Sequence, residues 1–165
     1  MMMLFYRKGA DKMGFKIING DITNVECEAI VNAANSYLKM GGGVCGAIFN
    51  KAGARQLTQE CNQIGYCKPG NAVITKGYNL KAKYIIHAVG PIYQDGKHNE
   101  KEILEAAYYN SLLLAKQYHL NSIAFPLISS GIYGYPYDEA LMIAKNTIFN
   151  FLVDNDMEVY LVLYK

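Results

Sequence analysis

Apolar and polar positions along this chain alternate between two rhythms. Phe15-Lys16-Ile17-Ile18 reads as a strand, and Asn19-Gly20-Asp21 as the turn that ends it. Ala29-Ile30-Val31-Asn32-Ala33 reads as a buried strand. A polar, glycine-rich stretch then runs from Asn35 to Gly46 and leads through Ala47-Ile48-Phe49 into a helix, broken at Gly53, that continues to about Gln63. Lys68-Pro69-Gly70-Asn71 is turn chemistry, because Pro fixes φ and Gly permits positive φ. Ala72 to Thr75 and Tyr84 to Val89 are two further strands. Asn99 is expected to cap a helix in a box with Glu102. Leu104, Tyr108, Leu112 and Ala115 supply the apolar stripe of that helix. Ser122 to Phe125 is a strand ending at Pro126, and Ser129 to Tyr135 is a second loop of small residues. Pro136 suits the first turn of a last helix whose apolar face is Leu141, Ala144, Ile148 and Leu152. Val159 to Leu163 closes the pattern as a strand.

Strands alternating with helices predict an α/β fold, with a sheet covered on both faces. Such sheets bind ligands at the carboxyl ends of their strands, where loops meet helix N-termini. The two richest loops, Asn35 to Gly46 and Ser129 to Tyr135, both follow apolar strands.

Composition narrows the function. At 165 residues the chain is one domain's worth. Its 52% hydrophobic and 18% charged content excludes a disordered chain. Sixteen Lys plus Arg against 14 Asp plus Glu leave a net charge of +2, too mild for a general nucleic-acid binder. No apolar run approaches the roughly 20 residues of a membrane span, and the apolar start, Met1 to Tyr6, is too short for a signal-peptide core. A cytoplasmic location is expected. Cys27, Cys45, Cys61 and Cys67 form no CxxC pair, and His87, His98 and His119 complete no zinc spacing, so reduced thiols and no metal are expected.

Four constellations carry chemistry. Gly41-Gly42-Gly43-Val44-Cys45-Gly46 formally matches GxGxxG. It does not follow a strand directly, however, and no acid ends a strand at the required distance, so a nicotinamide cofactor is not expected. No Gly-Lys-Ser/Thr follows either, which excludes a P-loop. Two readings remain: a flexible glycine connection, or backbone amides facing an anion at a helix start. Ser129-Ser130-Gly131-Ile132-Tyr133-Gly134 is a second loop of the same kind. Arg7 and Arg55 lie in neither loop, so a diphosphate there would be held by main-chain amides. Gly20-Asp21-Ile22-Thr23 is either a helix cap or a carboxylate that accepts from an exocyclic amine. In Asn32-Ala33-Ala34-Asn35, one Asn can satisfy backbone groups while the other meets sugar hydroxyls. His87 reads as a core residue, and Cys45 as a small gap filler.

These segments, together with Ala29 to Asn35 and His87-Ala88-Val89-Gly90-Pro91, resemble the macrodomain (Appr-1-p processing) family in order and spacing, from about Gly14 to Tyr164. The resemblance implies a three-layer α/β/α sandwich with a mixed, mostly parallel central sheet. It places the domain at residues 13–165, after an N-terminal extension over 1–12. It also implies binding of ADP-ribose. Asp21 would accept from the adenine amino group beside the Ile22 backbone, and Tyr164 would lie against adenine. Asn35 would hold the distal ribose and act as the catalytic residue. Gly41, Gly42, Gly43 and Val44, with Ser129, Ser130, Gly131, Ile132 and Tyr133, would surround the diphosphate and distal ribose.

Relatives that remove ADP-ribose commonly carry Gly, Asp and His where this chain has Met40, Cys45 and Phe49. Two functions follow from the resemblance. One is a hydrolase acting on ADP-ribosylated proteins, on O-acetyl-ADP-ribose or on ADP-ribose 1-phosphate, slowed by the missing carboxylate. The other is a non-catalytic ADP-ribose recognition module. Retained Asn35 favours the first. The expected partners are ADP-ribose or an ADP-ribosylated protein, with no cofactor, no membrane, no strong nucleic-acid binding and a monomeric state.

Overall fold

A computed structural model of the chain describes residues 3–6 and 14–164. Seven strands form one sheet: β1 (Met3–Tyr6), β2 (Gly14–Asn19), β3 (Ala29–Ala34), β4 (Ala72–Lys76), β5 (Tyr84–Val89), β6 (Ser122–Phe125) and β7 (Glu158–Leu163). Their order across the sheet is β1-β2-β7-β6-β3-β5-β4. The five inner strands run parallel, and β1 and β4 pair antiparallel at the two edges. Four helices cover it: α1 (Gly43–Ala52), α2 (Ala54–Ile64), α3 (Glu100–Gln117) and α4 (Tyr137–Asp154).

Strand periodicity decides which helix covers which face. In β3, Val31 points to the layer of α3 and α4, where Leu104, Tyr108, Ala144 and Ile148 are buried. Its neighbour Ile30 points the other way, to Ile48, Phe49, Leu57 and Cys61 of α1 and α2. Both faces of the inner strands are therefore apolar, and the mixed three-layer α/β/α sandwich is the fold expected from the sequence.

β1 is the element that the sequence pattern does not predict. It belongs to the segment expected to precede the domain, yet Met3–Tyr6 pairs with β2 along the sheet edge. The rest of that segment, 1–2 and 7–12, and the proposed boundary at residue 13 lie outside the described residues.

The start of α3 also differs from expectation. Asn99 stands at the cap position with φ 60° but makes no side-chain capping bond. The capping work falls to the next residue. Buried Glu100 accepts the N–H groups of Gln94, Asp95 and Gly96 at Oε2 (2.9, 3.1 and 3.1 Å) and that of His98 at Oε1 (2.7 Å). Burial alone would raise this carboxyl's pKa; the four amides outweigh it and bring the pKa down to about 2. A loop that folds back on its own helix start is a tertiary feature, which a box spacing does not reveal.

The chain leaves β3 for α1 on one face of the sheet, and leaves β6 for α4 on the other. β3 and β6 are neighbours, so their two following loops part around a crevice. Among the described residues no helix is long and apolar enough to cross a membrane.

Candidate functional site

Parallel β2, β3, β6 and β7 deliver Asp21, Asn35, Ser129 and Tyr164 to one end of the sheet. β2 and β7 are adjacent, and the Gly20 N–H donates to the Leu163 carbonyl at 3.0 Å. This bond sets Asp21 beside Tyr164, which is 80% exposed just after β7. Asp21 Oδ1 accepts the Thr23 N–H at 2.9 Å and its hydroxyl at 2.7 Å, capping the 3-10 turn Ile22–Asn24. The Thr23 hydroxyl and amide, in that order, hold the carboxyl below its ordinary value. The cap reading of this motif is therefore correct for one oxygen. Exposed Asp21 keeps Oδ2 for a second partner, and among the described residues the Ile22 amide has no acceptor.

Asn35 builds its own turn. Its carbonyl accepts the Leu38 N–H at 3.0 Å, and Leu38 takes φ 59°. Its side chain closes the ring: Nδ2 donates to the Lys39 carbonyl at 2.9 Å, and Oδ1 accepts the Lys39 N–H at 3.1 Å. So it is Asn35, not Asn32, that satisfies backbone groups, with one N–H and one lone pair left over.

The glycine loop follows. Gly42 caps α1 without a side chain, and Gly43 opens the helix at φ 56°. The amides of Gly43, Val44 and Cys45 precede the first helical bond, from Gly46 N–H to the Gly42 carbonyl at 3.2 Å, and form the positive end of the helix dipole. Gly46 is the residue that the sequence pattern undervalues. A Cβ there would sit 2.6 Å from the Gly41 carbonyl oxygen, so only glycine lets the loop fold down on its helix.

The second loop is held from below. Ser129 takes φ 67°, a strained value for a residue other than glycine. Its hydroxyl donates to the Pro91 carbonyl at 2.8 Å, and that of Ser130 to the Leu127 carbonyl at 2.8 Å. Both hydroxyls thus serve the loop itself. The Tyr93 N–H donates to the Tyr133 carbonyl at 2.8 Å. Among the described residues the amides of Gly131, Ile132 and Tyr133 have no acceptor. Ile132 is 100% exposed, an unusual place for an aliphatic side chain. Burial first, and then Cys45, push the Tyr133 phenol above its ordinary value. A further anchor is Tyr108 of α3, whose sequence reading is plain helix packing. Its hydroxyl donates to the Pro126 carbonyl at 3.1 Å and accepts the Ile128 N–H at 2.9 Å.

Beneath the glycine loop runs a buried polar string. Asn32 Nδ2 lies 3.1 Å from His87 Nδ1 and 3.6 Å from Cys45 Sγ. His87 Nε2 lies 2.9 Å from Thr75 Oγ1, which donates to the Lys76 carbonyl at 3.2 Å. This sequence of donors puts the His87 proton on Nε2. His87 is fully buried, as expected, and burial lowers its pKa to about 3. An ordinary unfolded histidine titrates near 6.5, so the unfolded chain binds more protons between those values. Stability contributed by neutral His87 is thus complete above about pH 6.5 and is lost as pH falls toward 3. The melting temperature is expected to drop through this window by scanning fluorimetry, and His87→Gln is expected to flatten the drop above pH 4.5. An unchanged slope in that variant would assign the acid sensitivity to other groups.

Cys45 and Phe49 both point inward, at 8% and 1% exposure. Cys45 Sγ lies 3.7 Å from the Lys39 carbonyl, the same oxygen that Asn35 Nδ2 meets. All four thiols are free. Among the described residues, the one gathering of possible metal ligands is Asp95, His98 and Glu100, but the Glu100 oxygens are already taken by amides. A groove of about 500 Å³ between α3 and α4 is lined by Glu102, Glu105 and Asp154, a setting that suits no anion. The unpaired amides lie at the sheet end instead.

Comparison with known proteins agrees with this fold. A family model described as Macro domain matches residues 31–144. An uncharacterized protein of Fusobacterium nucleatum is 57% identical over 90% of this chain and 85% of its own length. A Salmonella newport protein named O-acetyl-ADP-ribose deacetylase is 48% identical, covering 90% of this chain and 86% of its own. Among solved structures, the Oceanobacillus iheyensis macrodomain with ADP superposes with a TM-score of 0.91 at 38% identity, covering 99% of this chain and 88% of the other.

Proposed function

The chain belongs to the macrodomain family, and from that premise we propose that it binds ADP-ribose in the crevice between the β3 and β6 loops and hydrolyses a bond at the distal ribose. The observation that carries this reading is the pair of amide sets, Gly43 to Cys45 and Gly131 to Tyr133, left without acceptors on loops that flank one crevice. A diphosphate fits such a site better than a neutral ligand does, because its charge meets a helix N-terminus and fixed N–H dipoles. In this reading Gly41 and Gly42 allow close approach, and Ser129 and Ser130 hold the second loop's shape. Ile132 and Tyr133 cover the ligand. Asp21 Oδ2 accepts from the adenine amine beside the Ile22 amide, and Tyr164 lies against the ring.

Asn35 faces the distal ribose with its spare N–H and lone pair. The hydrolytic route is a water placed between Asn35 and the ligand's own phosphate. In an acetyl ester, water adds to the acyl carbon, the ribose oxygen–acyl bond breaks, the ribose oxygen takes the proton and acetate departs; in the glycosidic case water adds to the anomeric carbon and the protein side chain leaves with the proton. Catalysis then rests on positioning and on preorganised amides. The relative named O-acetyl-ADP-ribose deacetylase supports the hydrolase class, and an ester at the ribose is the first substrate to try.

One observation favours the second reading, a recognition module without turnover. Cys45 and Phe49 turn into the core, so neither offers the crevice a base. General-base assistance typically contributes about 10²–10⁴-fold, so a hydrolase without it is slow.

Incubation with O-acetyl-ADP-ribose and with a mono-ADP-ribosylated protein decides between them. The hydrolase reading expects release of free ADP-ribose, and a fall of at least about tenfold in kcat in Asn35→Ala. Saturable binding in calorimetry with no product over hours would leave the recognition module. Absence of any binding by the folded chain would refute both.

A further inference from the structure

Two surface segments, 36–40 and 62–68, are tied together beside the Asn35 turn. The Cys67 N–H donates to the Ser36 carbonyl at 2.8 Å, and Lys39 Nζ donates to Asn62 Oδ1 at 2.7 Å. Tyr37 and Tyr66, one from each segment, pack edge to face with ring centroids 5.4 Å apart and planes at 65°. They remain 64% and 52% exposed. Single exposed aromatics are ordinary on protein surfaces. A pair braced by two cross-ties is different: it holds a large amphipathic surface rigid, so little entropy is lost when something binds.

Its place and its charge say what that something is. Tyr37 stands at the tip of the turn that Asn35 closes with Leu38 and Lys39. A group leaving the crevice past Asn35 therefore emerges beside it. The same two segments carry exposed Lys39 and Lys68 and contain no carboxylate. The nearest in sequence, Glu60, is turned toward β4, where its Oε1 accepts the Lys76 N–H at 3.1 Å and the Tyr78 hydroxyl at 2.6 Å. An acetyl group ends at the ribose and is too short to use this surface. A polypeptide is not.

We propose that Tyr37 and Tyr66, flanked by Lys39 and Lys68, dock the polypeptide that carries the ADP-ribose, and that this polypeptide is acidic around its attachment point. The proposal rests on the ADP-ribose reading of the crevice. Phenol edges and hydroxyls meet the peptide backbone and its side chains, and the two ammonium groups meet its carboxylates. A single nucleic-acid strand fits less well, since successive bases ask for stacking faces along a basic groove, and here the rings are crossed and the cations number two.

The test compares calorimetric titrations of free ADP-ribose, an acidic peptide bearing one ADP-ribose, a neutral peptide bearing one, and an ADP-ribosylated oligonucleotide. The natural chain should bind the acidic peptide tightest, with an affinity that falls as salt rises. Tyr37→Ala with Tyr66→Ala should weaken that peptide about five- to twentyfold and leave free ADP-ribose within about twofold. Lys68→Glu should weaken the acidic peptide and not the neutral one. Normal binding of free ADP-ribose with no preference for either peptide would overturn the docking surface alone. Tighter binding of the oligonucleotide would assign the surface to nucleic acid and overturn it too. No binding of free ADP-ribose would sink the crevice reading, and this surface with it.

Discussion

Gly46→Ala is expected to reduce ADP-ribose affinity by about ten- to a hundredfold in calorimetry. Helix propensity predicts the opposite of harm, since Ala inside a helix is favoured over Gly by about 1 kcal/mol. Here a Cβ would lie 2.6 Å from the Gly41 carbonyl oxygen, a backbone atom that cannot step aside as a flexible side chain would. Overpacking of this kind costs about 1–3 kcal/mol, which outweighs the propensity gain at most of its range. The cheapest relief is to lift Gly41 and Gly42 off the helix start. That keeps the fold and misplaces the amides of Gly43 and Val44. Gly42→Ala is the control for stability alone, because its Cβ meets no protein atom within 4 Å and its φ is −86°, so its melting temperature should stay at the parent value. Undiminished affinity in Gly46→Ala, with a raised melting temperature, would show that the loop's seat on α1 does not set the amide geometry.

Tyr108→Phe is expected to lower the melting temperature by roughly 3–10 °C. The ring's tilted contact with Phe125, at 5.1 Å between centroids, survives the substitution, so the loss isolates the hydroxyl. Without it the buried Ile128 N–H and the Pro126 carbonyl both lose their partner. Leaving buried groups unpaired costs about 1–3 kcal/mol, and each kcal/mol moves the melting point of a domain this size by about 2–4 °C. Because Pro126 and Ile128 lead into the loop at Ser129, affinity for ADP-ribose should fall with stability. A melting point within 1 °C of the parent would mean that water replaces the hydroxyl.

The fold was legible because its signals are local. The run Ala29 to Ala33, apolar except for Asn32, marks an inner strand without reference to its neighbours, and burial of the structure agrees. The break at Gly53 was equally visible, and the structure divides α1 from α2 there, with φ 111°. The candidate site was legible in part. Its loops stood out by composition, and the resemblance ordered them, but the partner of each polar side chain did not follow. Asp21 and Asn35 both spend part of their bonding on nearby backbone, Thr23 in one case and Lys39 in the other. Asn32 turned inward to His87, and Glu100 replaced Asn99 as the group that organises the start of α3.

By itself the order of residues determined where strands, helices and sharp turns lie, because those depend on side chains a few positions apart. Which loops face each other was decided only when β6 settled between β7 and β3, since that adjacency joins residues about ninety positions apart in the chain. Other contacts that appear only in the folded chain make glycine necessary at Gly46, give the Tyr108 hydroxyl its two partners and set Tyr37 against Tyr66. Close packing acts at atomic range between distant segments, so its demands appear in three dimensions and not in the spacing of a motif.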